Sequence, residues 1–342
     1  METTLIFGVT GQDGSYLAEF LLQNKYKAIG VVRRCSHSYT ERLTGILDNE
    51  NFHIIEGDIT DYSSVLNIIN KYKPVQIYNL AAQSHVHTSF SQPGFTWDVT
   101  GKGVLNILEV IRFLQNEGYK PRFYQASSSE MFGDQHDLAY DGNPVQYEKT
   151  RMNPQSPYAI AKLAGYNLVR LYRKSYGIFA SNGILFNHES PRRGENFVTK
   201  KVAKYVGRMY RECGHKIDSG TFISPYPKLN LGNLFAQRDW GHAKDMIEGM
   251  WLILHHKEPD DFVLATGETH SVEEFVEEAF NYIGLNWKDW VNIDRSLYRP
   301  SEVPYLRGYA GKAKKLLGWE PKIKFKDLVC EMVQYEIDNN RQ

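Results

Sequence analysis

The segment "SPYAIAK" sets Tyr158 and Lys162 four residues apart, so on a helix they share one face, one turn from each other. A phenol ordinarily ionises near pH 10. A neighbouring ammonium stabilises the phenolate, which brings tyrosine into range as a neutral-pH acid and base. The spacing alone is common, and its default reading is an exposed helix face. Two upstream features make it informative. "GVTGQDG" supplies Gly8, Gly11 and Gly14, and "QASSSEMFG" ends a strand-like run in hydroxyls followed by one acid, Glu130. Glu130 lies two residues past Ser128, so on an extended strand end the two side chains project to the same face. By itself Glu130 is equally a helix-capping or ion-pairing acid.

The glycine segment follows an apolar run and precedes the helical "SYLAEFLLQN". A dinucleotide pyrophosphate needs this context, because glycine lets the turn form and lets phosphate approach the backbone N–H groups at the positive end of the helix. A plain tight turn is the alternative. Thr10, Gln12 and Asp13 share the loop and join the candidate cofactor contacts. About twenty residues on, where an acid would hold the ribose of NAD, the second strand ends in "VVRRCS". Arg33 and Arg34, with Ser36 beside them, suit a 2′-phosphate and favour NADP; two solvated surface arginines are the other reading. Asp58 and Ile59 in "EGDIT" are placed to meet the adenine, although Asp58 is also a candidate cap for the helix near Asp61. Leu80, Ala81, Ala82 and Ser84 in "NLAAQS" line the fourth strand end.

Those residues need a scaffold, and the chain describes one. "TLIFGV", "AIGVV", "FHIIEGD", "VQIYNL" and "RFYQASS" alternate with helical patterns at Tyr16–Asn24, Ser63–Tyr72 and Val104–Gln115. That is the βαβ rhythm of a doubly wound parallel sheet. A long helix at Tyr158–Tyr176 and the strand "FASNGILF" extend it, giving an α/β Rossmann domain over residues 1–186. A segment near 232–265 is expected to complete the sheet. After Phe186 the rhythm breaks into a loop-rich cap, residues 187–342, a smaller mixed α/β substrate-binding region partly interleaved with the first. Helices return at His242–His255, at "SVEEFVEEAFNYIG", where Ser271 and Glu274 form a capping box, and near the C-terminus. Gly214–Lys228 reads as a mobile surface insertion.

The chain has 342 residues, with 40 basic and 40 acidic side chains. No basic block interleaves with aromatics, which argues against nucleic-acid binding. No apolar run reaches the roughly 18 residues of a spanning helix, and no leader is expected. Cys35, Cys213 and Cys330 lie far apart without a CxxC, which argues against disulfides and zinc and for a cytoplasmic setting. His85 and His87 read as ordinary loop histidines.

"GVTGQDG", "NLAAQS", "ASSSE" and "YAIAK" together resemble the extended short-chain dehydrogenase/reductase family. "LAAQSHV", "SSSEMFG", "SPYAIAKLAGY", "GILFNHESPRRGENFVTKK", "LGNLFAQRDWGHAKD" and "YRPSEV" are similar to its nucleotide-sugar branch that dehydrates GDP-mannose. The likeness covers nearly the whole chain. It implies an NADP-dependent oxidation at carbon 4, loss of water across carbons 5 and 6, and return of hydride to carbon 6. Tyr158 would take the carbon-4 hydroxyl proton, Lys162 would tune it, and Ser128 would bond the same oxygen. Glu130 would be the carbon-5 base. The resemblance also implies that His188 and Arg193 lie near the nicotinamide. Ser84, Asn187, Asn196, Val198, Lys201, Leu231, Gly232, Arg238, Arg299 and Glu302 would bind GDP-mannose, the arginines on diphosphate and an acid on guanine.

The chain departs from the branch in a few places. Ser128 stands where threonine is usual, Phe95 where tyrosine is frequent and Tyr309 where an acid is common, with extra residues in Asp134–Asn153 and Gly214–Lys228. A homodimer or homotetramer is implied, because "VRRCSHSYTERL" often reaches a neighbouring subunit's cofactor in this branch. A 4-keto reductase or epimerase shares Tyr158 and Lys162 but has no use for an elimination base. A non-catalytic NADP-binding regulator is the remaining alternative.

Overall fold

The computed structural model describes residues 1–36, 40–218 and 226–339. Seven strands form the central sheet: β1 (Thr3–Phe7), β2 (Lys27–Val32), β3 (Phe52–Glu56), β4 (Gln76–Asn79), β5 (Arg122–Ser128), β6 (Ala180–Leu185) and β7 (Asp261–Leu264). Their order is β7-β6-β5-β4-β1-β2-β3, and every neighbouring pair is parallel. Strand order reverses beside β1, and in such sheets ligands bind at that switch point, outside the carboxyl ends of the strands.

The side chains of β1 show why the sheet is covered on both faces. Leu5 and Phe7 point into one core with Ile29, Val31, Ile77 and Phe123. Ile6 points into the other with Ala28, Tyr78 and Tyr124. Alternation with period two sends neighbours to opposite faces, and parallel strands buried on both sides therefore read as continuous apolar runs. Helices α1 (Gln12–Gln23), α2 (Tyr62–Tyr72), α3 (Gly103–Gln115) and α4 (Pro157–Tyr176) connect the strands.

Beyond Phe186 the chain carries helices α5 (Val198–Asp218), α6 (Ala243–His255), α7 (Val272–Tyr282) and α8 (Phe325–Asp338). Helix α5 corrects the loop-rich reading of this region, because Gly214–Asp218, taken as the start of a mobile insertion, are its last turn. Residues 219–225 of that segment lie outside the described residues. The helix is strongly charged, so its apolar stripe is easily overlooked. Val202, Val206 and Met209 nevertheless face a third core with Phe275, Phe280, Leu328 and Met332. The Ser271–Glu274 capping box is present at the head of α7. Short parallel pairing joins Asn187–Glu189 to Trp240–His242. Among the described residues, no helix is long and apolar enough to cross a membrane.

Candidate active site

A cavity of about 450 Å³ opens at the carboxyl ends of the strands. Its Rossmann wall holds Gly8, Gly11, Gln12, Asp13, Gly14, Leu80, Ala82 and Ser84. Ser128, Glu130, Tyr158 and Lys162 stand in the same cavity, as do His188 and Arg193. The opposite wall carries Asn187, Asn196, Val198, Lys201, Leu231, Gly232, Arg238, Arg299 and Glu302. The remaining candidates stand outside that lining. Thr10 and Ala81 belong to the two loops; Arg33, Arg34 and Ser36 follow β2 and are exposed; Asp58 and Ile59 follow β3. All of these lie at the same carboxyl edge of the sheet.

The glycine turn is shaped for close approach. Gly8 has φ +84°, and a Cβ there would sit 2.8 Å from the Ala81 nitrogen. A Cβ on Gly14 would meet the Gly8 carbonyl oxygen at 2.3 Å. Gly11 caps α1 with no side-chain hydrogen bond, which leaves the first N–H groups of the helix open to an anion. This cradle fits the pyrophosphate of a dinucleotide.

Two loop residues are engaged with the protein. Asp13 Oδ2 lies 2.8 Å from His188 Nε2. The Gln12 amide donates to the His188 carbonyl at 3.1 Å and accepts from Ser190 Oγ at 2.8 Å. Burial pushes the Asp13 carboxyl up, but the His188 charge and hydrogen bond outweigh it and hold it below its usual range. For His188, burial acts downward and Asp13 outweighs it, so the imidazole is raised. Asp58 accepts from Thr60 N at 2.9 Å and from Thr60 Oγ1 at 2.8 Å. The cap of α2 is Asp61, which accepts from Ser64 N; this corrects the capping alternative for Asp58.

Helix α4 begins at a well-specified point. Ser156 accepts from Ala159 N at 3.1 Å, and Pro157 occupies the first turn, where its missing N–H is harmless. Tyr158 and Lys162 are thereby set on the buried face beside the end of β5. Lys162 Nζ donates to the Ala126 carbonyl at 2.6 Å and lies 5.8 Å from the Tyr158 ring centre. Burial pushes the Tyr158 phenol up to about 12, with Glu130 adding to the rise while Ser128 and Arg193 oppose it. Burial also pushes Lys162 down to about 8. The Tyr158 phenol is thus raised, where the sequence predicted that Lys162 would depress it. Desolvation is the larger effect, and the ammonium is directed at a carbonyl.

Glu130 is 11% exposed at its side chain, but it does not continue the strand. Ser128 ends β5 and caps a 3₁₀ turn, Ser129–Phe132, its Oγ accepting from Glu130 N at 3.2 Å. The same-face argument from strand alternation therefore does not apply, and the turn brings Glu130 into the cavity instead. There its Oε1 is 3.7 Å from Arg299 Nη1, which is 3.6 Å from Glu302 Oε1. Arg238 Nη2 reaches the same Glu302 at 2.8 Å. Arg193 Nε lies 2.9 Å from buried Glu189, and its guanidinium stands 3.6 Å from the Phe197 ring centre.

His85 and His87 also line the cavity, which corrects their reading as ordinary loop residues. His85 caps the short helix Val86–Ser91 and packs edge-on against Phe197 at 5.7 Å. Burial, with Arg299 and His87 nearby, lowers its pKa. The cap motif, a polar residue just before a short helix, was the signal that could have found it.

A glycine cradle feeding α1, with serine, tyrosine and lysine meeting at β5 and α4, defines an extended short-chain dehydrogenase/reductase fold. The same architecture is seen in dTDP-glucose 4,6-dehydratase of Bacillus anthracis, with a TM-score of 0.79 at 21% identity, covering 98% of this chain and 96% of that one. The chain belongs to the GDP-mannose 4,6 dehydratase family, whose model matches residues 5–332. It is 47% identical to GDP-mannose 4,6 dehydratase 1 of Arabidopsis thaliana, over 98% of this chain and 89% of that protein. To the Homo sapiens GDP-mannose 4,6 dehydratase it is 45% identical, over 98% and 91%.

Proposed function

We propose that this chain is a hydro-lyase that converts GDP-mannose to GDP-4-keto-6-deoxymannose. One observation carries the mechanism: of the acids lining the cavity, Asp13, Glu189 and Glu302 are held by His188, Arg193 and Arg238 at 2.8, 2.9 and 2.8 Å, whereas Glu130, beside Ser128, Tyr158 and Lys162, meets Arg299 only at 3.7 Å. Oxidation or reduction at carbon 4 needs only Ser128, Tyr158 and Lys162. Elimination needs a base as well.

A bound NADP supplies the hydride acceptor and, later in the same turnover, the hydride donor. Tyr158 would act as its phenolate, the form that burial disfavours and the neighbouring Lys162 and Arg193 cations favour, to take the proton of the carbon-4 hydroxyl, and Ser128 would donate a hydrogen bond to that oxygen. Lys162 would hold the ribose hydroxyls of the dinucleotide. The resulting ketone acidifies carbon 5, where Glu130 removes the proton and passes it to the departing carbon-6 hydroxyl. Water leaves, carbon 6 regains the hydride removed from carbon 4, and carbon 5 takes its new proton from solvent by way of Glu130. Arg238, Arg299 and Lys201 provide cations for the diphosphate, and Arg33 with Arg34 provides them for the 2′-phosphate that separates NADP from NAD. His188 and Arg193 would stand at the nicotinamide end.

In this reading residues 1–186 bind the dinucleotide and residues 187–342 bind the GDP-sugar. This reading assigns a homo-oligomer in the cytoplasm. The test is incubation with GDP-mannose and no added reductant. The 4-keto-6-deoxy product should accumulate over many turnovers. A requirement for one NADPH per product would overturn the reading in favour of a reductase, and a carbon-4 epimer would favour an epimerase.

A further inference from the structure

Arg299 stands between two carboxylates and is firmly held by neither. Its Nη1 is 3.7 Å from Glu130 and 3.6 Å from Glu302, whereas charge-assisted hydrogen bonds close to about 2.7–2.9 Å. Its side chain is 32% exposed. Arg238 is held differently. It is 6% exposed, meets Glu302 at 2.8 Å and donates to the Val303 carbonyl at 2.7 Å. Arg193 is fixed between Glu189 and Phe197. Of these three guanidinium groups in the cavity, Arg299 can leave its partners at the smallest cost.

We infer that Arg299 couples diphosphate binding to release of the carbon-5 base. Before substrate arrives, the formal charges of Glu130, Glu302, Arg238 and Arg299 cancel. A nucleoside diphosphate adds negative charge to a cavity where Coulomb interactions are weakly screened. The loosest cation turns toward it, while Glu302 keeps Arg238. Glu130 then loses its counter-ion as the sugar is presented, and a carboxylate without a nearby cation is the better proton acceptor. Binding energy from the diphosphate, a part of the substrate that does not react, thus prepares the group that does. This inference rests on the reading of Glu130 as base and of the substrate as a nucleoside-diphosphate sugar.

The proton step can be isolated with a methyl 4-keto-6-deoxymannoside, which lacks the nucleotide and needs no hydride transfer. In D2O, NADP-loaded enzyme exchanges its carbon-5 hydrogen. Glu130 takes the proton, the C–H electron pair enters the enolate, and a solvent deuteron returns. NMR gives the rate with and without saturating GDP, and calorimetry confirms that GDP is bound. GDP in trans should accelerate exchange in the wild type by about tenfold or more, the order expected when an opposite charge within 4–6 Å is removed. Arg299→Gln should exchange quickly without GDP and gain nothing from it, and Arg299→Lys should keep the acceleration. A wild type that binds GDP without acceleration, or an Arg299→Gln variant accelerated as strongly, overturns the inference and leaves the substrate reading intact. Failure of the wild type to bind GDP, or undiminished exchange in Glu130→Gln, overturns the underlying reading and the inference with it.

Discussion

Asp13, in the first turn of α1, and His188, just past β6, meet at 2.8 Å across 175 residues of sequence. The pair ties the glycine loop to the segment that leads into the opposite wall of the cavity. Each partner shifts the other toward its charged form. The His188 contribution to stability is complete below its unfolded value of about 6.5 and is lost as pH rises through the raised folded value. The Asp13 contribution is complete above about 4 and is lost as pH falls through its depressed value. Asp13→Asn should therefore lower the melting temperature most between about pH 4 and 6.5. The gap to wild type should close at higher pH, and a gap that widens with pH would contradict the pairing.

Burial of the Lys162 ammonium works against stability. Its ammonium is pushed from 10.5 to about 8 by burial, so the unfolded chain binds the proton more tightly between those values. Lys162→Met should be more stable at pH 7, on the order of 2 kcal/mol after discounting the lost bond to Ala126. That advantage should shrink as pH rises from 8 toward 10.5, where the wild type regains stability. Turnover should fall by about 10²-fold or more. Denaturant melts at pH 7 and 10 check the first claim; a variant equally destabilised at both would refute it.

The proposed preference for NADP places its 2′-phosphate on Arg33 and Arg34. Both are exposed at the end of β2, with the Arg33 guanidinium 5.7 Å from the Phe95 ring centre. Replacing both with alanine should weaken NADP binding by about 30-fold or more, the loss of one or two charge-assisted bonds. NAD binding should be unchanged. Titration of each nucleotide by fluorescence decides it, and equal losses for both would mean that the arginines support the loop instead.

The first 186 residues were legible because their signals are local. β1 to β6 are apolar runs separated by helical periods, and α4 has its serine cap and first-turn proline written into "SPYAIAK". Glu130 reached the cavity by a route that alternation could not describe, since a 3₁₀ turn after Ser128 depends on the Oγ cap and on packing of Met131 and Phe132. Helix α5 was hidden by its charge, and its apolar stripe is meaningful only against α7 and α8. The Glu302 junction, where Arg238 and Arg299 converge from 64 and 3 residues away, has no local signature. Neither does the effect of burial on Tyr158, which exceeds that of its lysine neighbour and reversed the expected direction.

The most direct test of the account concerns carbon 5. GDP-mannose turned over in D2O should yield GDP-4-keto-6-deoxymannose with deuterium at carbon 5, and Glu130→Gln should bind NADP normally while forming no deuterated product. A product without deuterium at carbon 5, or undiminished incorporation by Glu130→Gln, would contradict the claim that Glu130 makes this fold a dehydratase.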